Sequence, residues 1–180
     1  FDEEENVGRT LESLRRFPRV VVVDSGSTDR TEEIARSYEN VRWLVRPFDD
    51  HIRQWRWALT ETGIETPFVL ALDADMSAPG ELVTEVEAAA DRDDQDGAVI
   101  GIQYRIRGVP LLASLYPAEL RFIRRTRAEV MDAGHTQKFR VIGRIGRFKS
   151  SLAHDDRKPL ERFVGAQLRY SAAEMPRLWS

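Results

Sequence analysis

Two aspartates stand one residue apart where an apolar run of the chain ends. Asp73 and Asp75 follow residues 68–72, a run that predicts a buried strand. Because side chains alternate along a strand, we expect both carboxylates to leave it on the same side. Carboxylate oxygens are the ligands that Mg²⁺ and Mn²⁺ take, and such ions commonly join a protein carboxylate to a diphosphate. The pair predicts a metal site, and a pair of solvated turn aspartates is the alternative.

A third aspartate, Asp24, ends another apolar run, residues 20–23. Ligands of open parallel sheets bind beyond the carboxyl ends of the strands, so Asp24 would line the same crevice as Asp73 and Asp75. Its carboxylate can accept hydrogen bonds from a ribose hydroxyl or a base N–H, and the small side chains of residues 25–28 let the backbone approach a ligand. The alternative is that Asp24 and this loop form a turn and a helix cap. The chain has no Gly-x-Gly-x-x-Gly spacing and no Gly-Lys-Ser/Thr sequence, which disfavours nicotinamide cofactors and P-loop chemistry.

The composition fits one globular domain. A chain of 180 residues buries about two thirds of its unfolded surface. The absence of cysteine excludes disulfides, thiolate nucleophiles and cysteine-ligated zinc, and it permits a reducing cytosol. No apolar segment approaches the length of a membrane span and no signal peptide opens the chain, so we expect a cytoplasmic or peripheral protein.

Charge is divided unevenly along the chain. Residues 1–96 carry 11 basic and 23 acidic side chains, whereas residues 97–149 carry 11 basic and 3 acidic ones. The basic segment predicts an anionic partner, such as a phosphorylated substrate, a lipid headgroup surface or nucleic acid, and an internally compensated surface explains it equally well. Because the segment lacks an aromatic stacking pattern, we expect no nucleic-acid partner.

Strand and helix patterns alternate through the first 96 residues. Apolar spacing predicts strands at residues 20–23, 41–45 and 68–72, and helices that carry Val7, Leu11 and Leu14; Ile34, Ala35 and Tyr38; Ile52, Trp55 and Leu59; and Leu82, Val86 and Ala89. Residues 100–107 alternate like a half-exposed strand, where an antiparallel or mixed part of the sheet begins. The pattern is weak over residues 110–148, and a helix follows from Pro159. This order is typical of an α/β fold with a parallel, helix-covered sheet.

Several segments resemble family 2 glycosyltransferases of the GT-A fold, and the nearer likeness is to bacterial enzymes that add a sugar to the lipopolysaccharide core or a related envelope glycan. These segments are residues 2–7, 22–31, 72–75 and 154–160, with Gln167 and Tyr170. The resemblance implies a Rossmann-like, mixed and mainly parallel sheet flanked by helices.

The resemblance also implies the domain organisation. One glycosyltransferase domain would cover residues 1–180, with the nucleotide-binding half at 1–96 and the acceptor-binding half at 97–180. The resembled enzymes have a strand before the segment that begins at Phe1, and usually an asparagine where Asp2 stands. We therefore expect the first strand to be missing from this chain and the domain to be incomplete at both ends.

Roles on the donor side follow from the resemblance. Asp24 would contact the uracil or ribose of a nucleotide sugar, and Glu3 would line the same pocket. Asp73 would lie near the ribose and the metal, while Asp75 would bind the Mg²⁺ or Mn²⁺ that holds the diphosphate. His154 is a candidate metal ligand or acceptor contact, and a structural loop histidine is the alternative.

Roles on the acceptor side are implied in the same way. Asp155 or Asp156, with Asp156 favoured, would be the base that takes the proton of the acceptor hydroxyl. Gln137 ends a segment that resembles a subfamily motif, and it would contact the acceptor sugar unless that segment is a polar turn. Phosphates of the acceptor or of a membrane surface would meet a group of arginines, for which a solvated helix face is the alternative. The group is Arg121, Arg124, Arg125 and Arg127.

Together these expectations describe an inverting, metal-dependent transfer of a sugar from a nucleoside diphosphate, UDP by preference, to a hydroxyl of an envelope glycan or glycolipid. The protein would contact the inner membrane peripherally. One alternative is a haloacid-dehalogenase-like phosphatase with Asp73 as nucleophile, since residues 73–77 approximate Asp-x-Asp-x-Thr. In those enzymes the motif follows the first strand, whereas two strand and helix units precede it here. The other alternative is a nucleotide-binding module without turnover.

Overall fold

The computed structural model describes residues 1–113, 117–132 and 137–159 and isolated positions between 161 and 175. Its helices are α1 (Val7–Ser13), α2 (Thr31–Arg36), α3 (His51–Thr60) and α4 (Gly80–Arg92). Its strands are β1 (Val20–Asp24), β2 (Val41–Val45), β3 (Phe68–Leu70), β4 (Met76–Ser77), β5 (Gly97–Ile106), β6 (Val109–Pro110), β7 (Glu119–Arg124), β8 (Ala128–Asp132), β9 (Gln137–Val141) and β10 (Ile145–His154). Residues 134–136, Gln167, Tyr170 and much of the helix predicted from Pro159 lie outside the described residues.

The described strands form a mixed α/β fold, as expected, but with fewer parallel pairings than the sequence predicted. The larger sheet has the order β3-β7-β5-β10-β4, β6 pairs with β5, and β8 forms a hairpin with β9. Parallel pairing joins β1 to β2 and β5 to β10, and the other described pairings are antiparallel. Short connections require antiparallel pairing only in the β5–β6 and β8–β9 hairpins, whereas β7 and β10 come from distant parts of the chain and run antiparallel to β3 and β4, respectively.

Strand β1 is less buried than its run of valines predicts. It pairs in parallel with β2, from Val20 opposite Val41 to Asp24 opposite Val45. Val20 and Val22 pack against the apolar sides of α1 and α2, yet the valines of β1 are only partly buried. Among the described strands, β2 is the one that pairs with β1, so the other edge of β1 has no described strand beside it. This open edge is consistent with the partial exposure of the valines.

The main core lies between α4 and the larger sheet. The stripe of α4 predicted from helical spacing, which includes Leu82 and Val86, packs against Ile100 of β5, Phe122 of β7 and Leu152 of β10. Full burial of one such aliphatic or aromatic side chain stabilises the fold by about 1.5–3 kcal/mol. This packing holds β7 and β10 side by side with β5, and both carry residues of the candidate site.

The two predicted metal-binding aspartates do not alternate along one strand. Strand β3 ends at Leu70, and the N–H of Met76 donates to the carbonyl oxygen of Asp73 at 3.1 Å, which closes a turn. Strand β4 then begins at Met76 and runs antiparallel to β10, with Met76 opposite His154. Asp73 and Asp75 therefore lie in a turn between two strands rather than on one strand, and their carboxylates have different partners, Arg121 and His154.

Candidate functional site

A backbone hydrogen bond joins the two loops that carry the predicted carboxylates. The N–H of Asp155 donates to the carbonyl oxygen of Asp75 at 3.1 Å. This contact continues the β4–β10 pairing, in which His154 lies opposite Met76. Residues 80 positions apart in the sequence therefore meet at one end of the larger sheet, as the sequence analysis expected for Asp75 and the Asp155–Asp156 pair.

Asp75 is a largely buried carboxylate, with 19% of its side chain exposed, and one of its oxygens is uncommitted. Its Oδ1 is buried and has no hydrogen-bond partner among the described residues, while its Oδ2 lies 3.4 Å from Nε2 of His154. Burial raises the pKa of Asp75 to about 6, and the negative charges of Asp73, Glu3 and Asp156 act in the same direction against the lowering effect of His154. These charge effects show that the four acidic side chains share one neighbourhood.

His154 is held beside Asp75 by its position at the end of β10 and by an aromatic contact. Its ring stacks on the ring of Tyr104, with 4.4 Å between centroids and an interplanar angle of 22°. The stacking fixes the plane of the imidazole so that Nε2 faces Asp75. A structural histidine would be held in the same way, so the geometry is compatible with both interpretations of His154.

Asp73 is engaged by a buried arginine. Oδ2 of Asp73 accepts a hydrogen bond from Nη2 of Arg121 at 3.0 Å, and Arg121 also donates through Nε to Glu119 at 2.8 Å. The guanidinium is buried, and its Nη1 has no hydrogen-bond partner among the described residues. Asp73 is thus partly neutralised before any ligand arrives, which makes it a weaker candidate for a metal ligand than Asp75.

Asp155 and Asp156 have different surroundings. Asp155 is 4% exposed, and its carboxylate accepts hydrogen bonds from Arg9 at 3.0 Å, from Arg157 at 2.8 and 3.0 Å and from the N–H of Gly108 at 3.2 Å. Burial by itself would raise the pKa of Asp155, but the Arg157 and Gly108 hydrogen bonds and the charges of Arg157 and Arg9 outweigh it, so the pKa is lowered. This is the environment of a permanently charged structural carboxylate.

Asp156 is only partly buried and is less engaged. Its Oδ1 accepts from Nδ2 of Asn6 at 2.8 Å and from the N–H of Lys158 at 3.0 Å. Its Oδ2 makes no hydrogen bond to any residue in the described part of the chain. The contrast with Asp155 favours Asp156 as the residue that could accept a proton from a ligand.

Asn6 was not singled out from the sequence, although it is the most connected side chain of the site. It is 0% exposed and its Nδ2 donates to Glu3 at 2.9 Å as well as to Asp156. Its Oδ1 accepts from Nη2 of Arg9 at 2.7 Å and from the N–H of Arg157 at 2.9 Å. The only sequence signal is an asparagine just before a helix, which ordinarily indicates an N-cap.

Asp24 organises the loop that follows β1. It is 5% exposed, and its Oδ2 accepts the N–H groups of Gly26 at 2.8 Å and Ser27 at 2.7 Å, while its Oδ1 accepts the Ser27 hydroxyl. The turn interpretation of Asp24 is therefore confirmed. In the same loop Gly26 has φ +89°, a conformation that favours glycine.

The N-terminal segment lies on this loop and links it to the other carboxylates. The N–H of Asp2 donates to the hydroxyl of Ser27 at 2.8 Å, and the N–H of Glu3 donates to the hydroxyl of Thr31 at 2.7 Å. The carboxylate of Glu3 is ion-paired with Lys158. Asp24 is thus connected through Ser27 and the N-terminal segment to Glu3, which lies beside Asp75 and Asp156.

Of the predicted acceptor-side residues, Asp155, Asp156 and Arg121 belong to this site, whereas Arg124 and Arg125 lie at the far end of β7 and Gln137 lies on β9. Arg121 and Arg124 are on strand β7, so the predicted helix face is wrong, and Arg124 pairs with Asp93 and Asp96. The N–H of Arg125 donates to the carbonyl oxygen of Pro67 at 2.9 Å, just before β3 begins. Arg125 therefore lies at the opposite end of the β3–β7 pair from Arg121, the residue that contacts Asp73, and the two arginines are about 13 Å apart at the usual rise of a strand.

Gln137 is buried at the first position of β9, opposite Asp132 in the β8–β9 hairpin. This hairpin packs on β7 and on α3, where the ring of Phe139 meets the ring of Trp55 edge to face at 5.2 Å between centroids. Trp55 is partly buried and packs against the apolar cluster that contains Leu59 and Ile123. Gln137 belongs to this hairpin rather than to either of the loops joined by Asp75 and Asp155.

The residues present fit a divalent cation in part. In the described ranges no group of three or more histidine and carboxylate side chains stands ready to enclose a metal ion. The buried Oδ1 of Asp75, which has no partner among the described residues, is nevertheless the hard oxygen ligand that Mg²⁺ or Mn²⁺ accepts when a diphosphate completes its coordination. The adjacent Nε2 of His154 is a softer ligand and fits Mn²⁺ better than Mg²⁺. A substrate-completed site is consistent with both observations.

None of the helices in the described part of the chain is long and apolar enough to cross a membrane.

Comparison with known proteins identifies a family whose sequence profile matches most of this chain. The sequence profile of the family "Glycosyl transferase family 2" matches residues 1–152. The lipopolysaccharide core biosynthesis glycosyltransferase LpsC of Rhizobium meliloti (strain 1021) is 36% identical over 98 residues, which are 51% of this chain and 36% of that protein.

Similar solved structures include S. aureus TarS 1-349 in complex with UDP-GlcNAc, with a TM-score of 0.62 and 21% identity over 88% of this chain and 57% of that chain. The complex of TarS 1-349 with UDP gives a TM-score of 0.61 and 20% identity over 96% of this chain and 62% of that chain. At this identity the likeness establishes the GT-A-type fold alone. The chain spans about a third of the LpsC relative and about three fifths of the TarS structures. On the match over residues 1–152, the chain belongs to glycosyl transferase family 2.

Proposed function

We propose that the protein transfers a sugar from a nucleoside diphosphate, UDP by preference, to a hydroxyl of an envelope glycan or glycolipid, with inversion at the anomeric carbon. The observation that carries the proposal is the hydrogen bond between Asp75 and Asp155, which brings the donor-side and acceptor-side loops together. The name of the LpsC relative and the UDP and UDP-GlcNAc complexes of TarS support the substrate classes.

On the donor side, the loop after β1 and the segment that contains Glu3 would hold the nucleoside. Asp73, kept in place by Arg121, has its Oδ1 available for a ribose hydroxyl. Asp75 and His154 would hold a divalent cation together with the diphosphate. When bound, such a cation neutralises the negative charge that builds up on a diphosphate leaving group.

On the acceptor side, Asp156 would be the general base. Its Oδ2 would take the proton of the acceptor hydroxyl as the oxygen forms a bond to the anomeric carbon. The bond from that carbon to the diphosphate breaks on the opposite face, so the configuration is inverted. A positioned base of this kind typically accelerates a reaction by about 10²–10⁴-fold.

A glycolipid acceptor would bring the protein to a membrane surface. We expect a cytoplasmic protein with peripheral contact at the inner membrane, because nucleotide sugars are made in the cytoplasm and a glycolipid presents its head group at the bilayer surface.

The test is a product assay with the purified protein. A panel of UDP-sugars is incubated with Mn²⁺ and envelope glycolipid, and both UDP and inorganic phosphate are measured. UDP release that depends on acceptor and is lost in Asp156→Asn supports the proposal. Phosphate release from a phosphate ester would instead support the phosphatase alternative, and tight UDP binding without turnover would support a binding module.

A further inference from the structure

We infer that Asn6 is a positioning residue that orients the carboxylate of Asp156 toward the acceptor. The inference rests on the proposed function, because it assigns Asn6 a role through the proposed base. The two residues are 150 positions apart in the sequence and are joined by a hydrogen bond of 2.8 Å from Nδ2 to Oδ1.

The amide of Asn6 uses its full hydrogen-bonding capacity. It offers two N–H donors and two lone pairs, and each is used: the donors go to Glu3 and Asp156, and the lone pairs accept from Arg9 and Arg157. If the amide nitrogen and oxygen were exchanged, the oxygen would face the two carboxylates and the N–H groups would face the two donors, so all four hydrogen bonds would be lost. The orientation of the amide is therefore fixed by its surroundings.

The same side chain is not used for helix capping. Asn6 occupies the N-cap position of α1, where asparagine ordinarily accepts a hydrogen bond from a backbone N–H of the first turn. Here its side chain makes no such bond. The asparagine thus forgoes the stabilising contact of an N-cap and directs its amide to the Asp156 loop instead.

The contact determines which oxygen of Asp156 is available. Oδ1 accepts from both Asn6 and the N–H of Lys158, so its lone pairs are occupied. Oδ2 has no partner among the described residues and belongs to a partly buried side chain. Fixing Oδ1 therefore turns the basic lone pairs of Oδ2 outward, where an acceptor hydroxyl could reach them.

Other small side chains could not reproduce this arrangement. Aspartate in place of Asn6 would keep both acceptor contacts but would set a carboxylate against Glu3 and Asp156. Serine has one donor and a shorter reach, so it could serve only one of the two carboxylates. Both variants remove the orienting contact in different ways, which makes them independent tests.

The experiment measures steady-state transfer and UDP binding for Asn6→Asp and Asn6→Ser. We expect kcat to fall by about 10²-fold in both, because small misplacements of a reacting group have effects of that size. The dissociation constant of UDP should change less than about threefold in Asn6→Ser, since Glu3, the donor-side partner of Asn6, stays ion-paired with Lys158. In an Asp156→Asn background, either substitution should cause no further loss of kcat, because residues that act as a unit are not additive.

Asn40→Asp is the matched control. The amide of Asn40 also donates two hydrogen bonds, to the carbonyl oxygens of Leu14 and Phe17, and these lie apart from the carboxylates of the site. Its substitution should lower the melting temperature and leave kcat unchanged.

Four outcomes separate the inference from the proposed function. Unchanged kcat in folded Asn6→Ser would overturn the inference alone, and so would a parallel loss of kcat and UDP affinity, which indicates a merely structural role. An additional loss of kcat in the Asp156→Asn background would overturn it as well. Wild-type protein that binds UDP but transfers no sugar would overturn the proposed function first, and the role of Asn6 with it.

Discussion

Arg121 donates a hydrogen bond from Nη2 to Oδ2 of Asp73 across 3.0 Å, and this contact changes the roles within the Asp-x-Asp pair. Asp73 is already neutralised by a buried guanidinium, whereas Asp75 keeps a buried oxygen without a partner in the described residues. We conclude that Asp75 is the primary candidate for cation binding and that Asp73 is the candidate for a ribose contact.

Substituting Arg121 tests this division of roles. Lysine keeps the charge but cannot contact Asp73 and Glu119 with a planar fork, so Arg121→Lys should weaken UDP binding by about tenfold and lower the free energy of unfolding by about 1–3 kcal/mol. Calorimetric titration and urea unfolding measure the two effects. Arg124→Lys on the same strand pairs with Asp93 and Asp96 instead, and it should lower stability without changing UDP affinity. Equal UDP affinity in all three proteins would contradict the role of Arg121.

The raised pKa of Asp75 predicts a stability that depends on pH. Its folded-state pKa of about 6 lies above the ordinary value of 3.8, so the folded state binds this proton more tightly than the unfolded state does. The stabilisation by the protonated form is present below pH 3.8 and is lost as the pH rises toward 6. Asp75→Asn removes this loss, so the metal-free variant should be more stable than the wild type at pH 7, by about 1–3 kcal/mol.

Urea unfolding in the presence of a chelator, at pH 4 and at pH 7, measures this difference. The advantage of Asp75→Asn should grow between the two pH values. A variant that is less stable than the wild type at pH 7 would show that the ionised carboxylate is better solvated than its burial indicates.

Asparagine substitutions at the neighbouring Asp155 and Asp156 should affect different properties, the free energy of unfolding at Asp155 and kcat at Asp156. Asp155 holds Arg9 and Arg157 together, so Asp155→Asn should lower the free energy of unfolding by about 1–3 kcal/mol, since both arginines are partly exposed. Asp156→Asn keeps an oxygen for Asn6 and Lys158 and should fold normally, but it should lower kcat by about 10²–10⁴-fold. Thermal unfolding and transfer assays on the two variants decide the assignment, and a reversed pattern would make Asp155 the base.

The loop after β1 offers a test of the donor side. Gly26 has φ +89° and nothing within 4 Å of an added Cβ, so Gly26→Ala should strain the backbone without a clash. We expect a destabilisation of about 1–2 kcal/mol and weaker UDP binding. Gly80→Ala, at an equally open position inside α4, should leave UDP binding unchanged. Wild-type UDP affinity in Gly26→Ala would indicate that this loop does not touch the nucleotide.

The sequence predicted the elements best where apolar spacing is regular. Helices α3 and α4 carry the predicted apolar stripes that include Leu59 and Leu82, and β2 covers the predicted run 41–45. A regular apolar period can place all its residues on one buried side in only one type of secondary structure, so it predicts that structure well. Strand β7 was missed because its arginines interrupt the apolar pattern. Arg121 is accommodated by ion pairs with Asp73 and with Glu119 of the same strand, and Arg124 by an ion pair with Asp96. Asp73 and Asp96 come from distant parts of the chain.

The candidate site was predicted in outline. The meeting of Asp75 with the Asp155–Asp156 loop could be expected from the motifs, but the turn at Asp73 could not, since nothing in the spacing marks the end of β3 at Leu70. Asn6 could not be found because the value of a buried amide depends on partners that only the fold supplies.

The most direct test of the account is a calorimetric titration of UDP, with and without Mn²⁺, against the wild type and Asp75→Ala. The account predicts that Mn²⁺ strengthens UDP binding to the wild type by at least about tenfold and has little effect on Asp75→Ala, because the buried oxygen of Asp75 is the fixed ligand that joins the cation to the protein. Equal UDP affinities in the two proteins with Mn²⁺ present would contradict it.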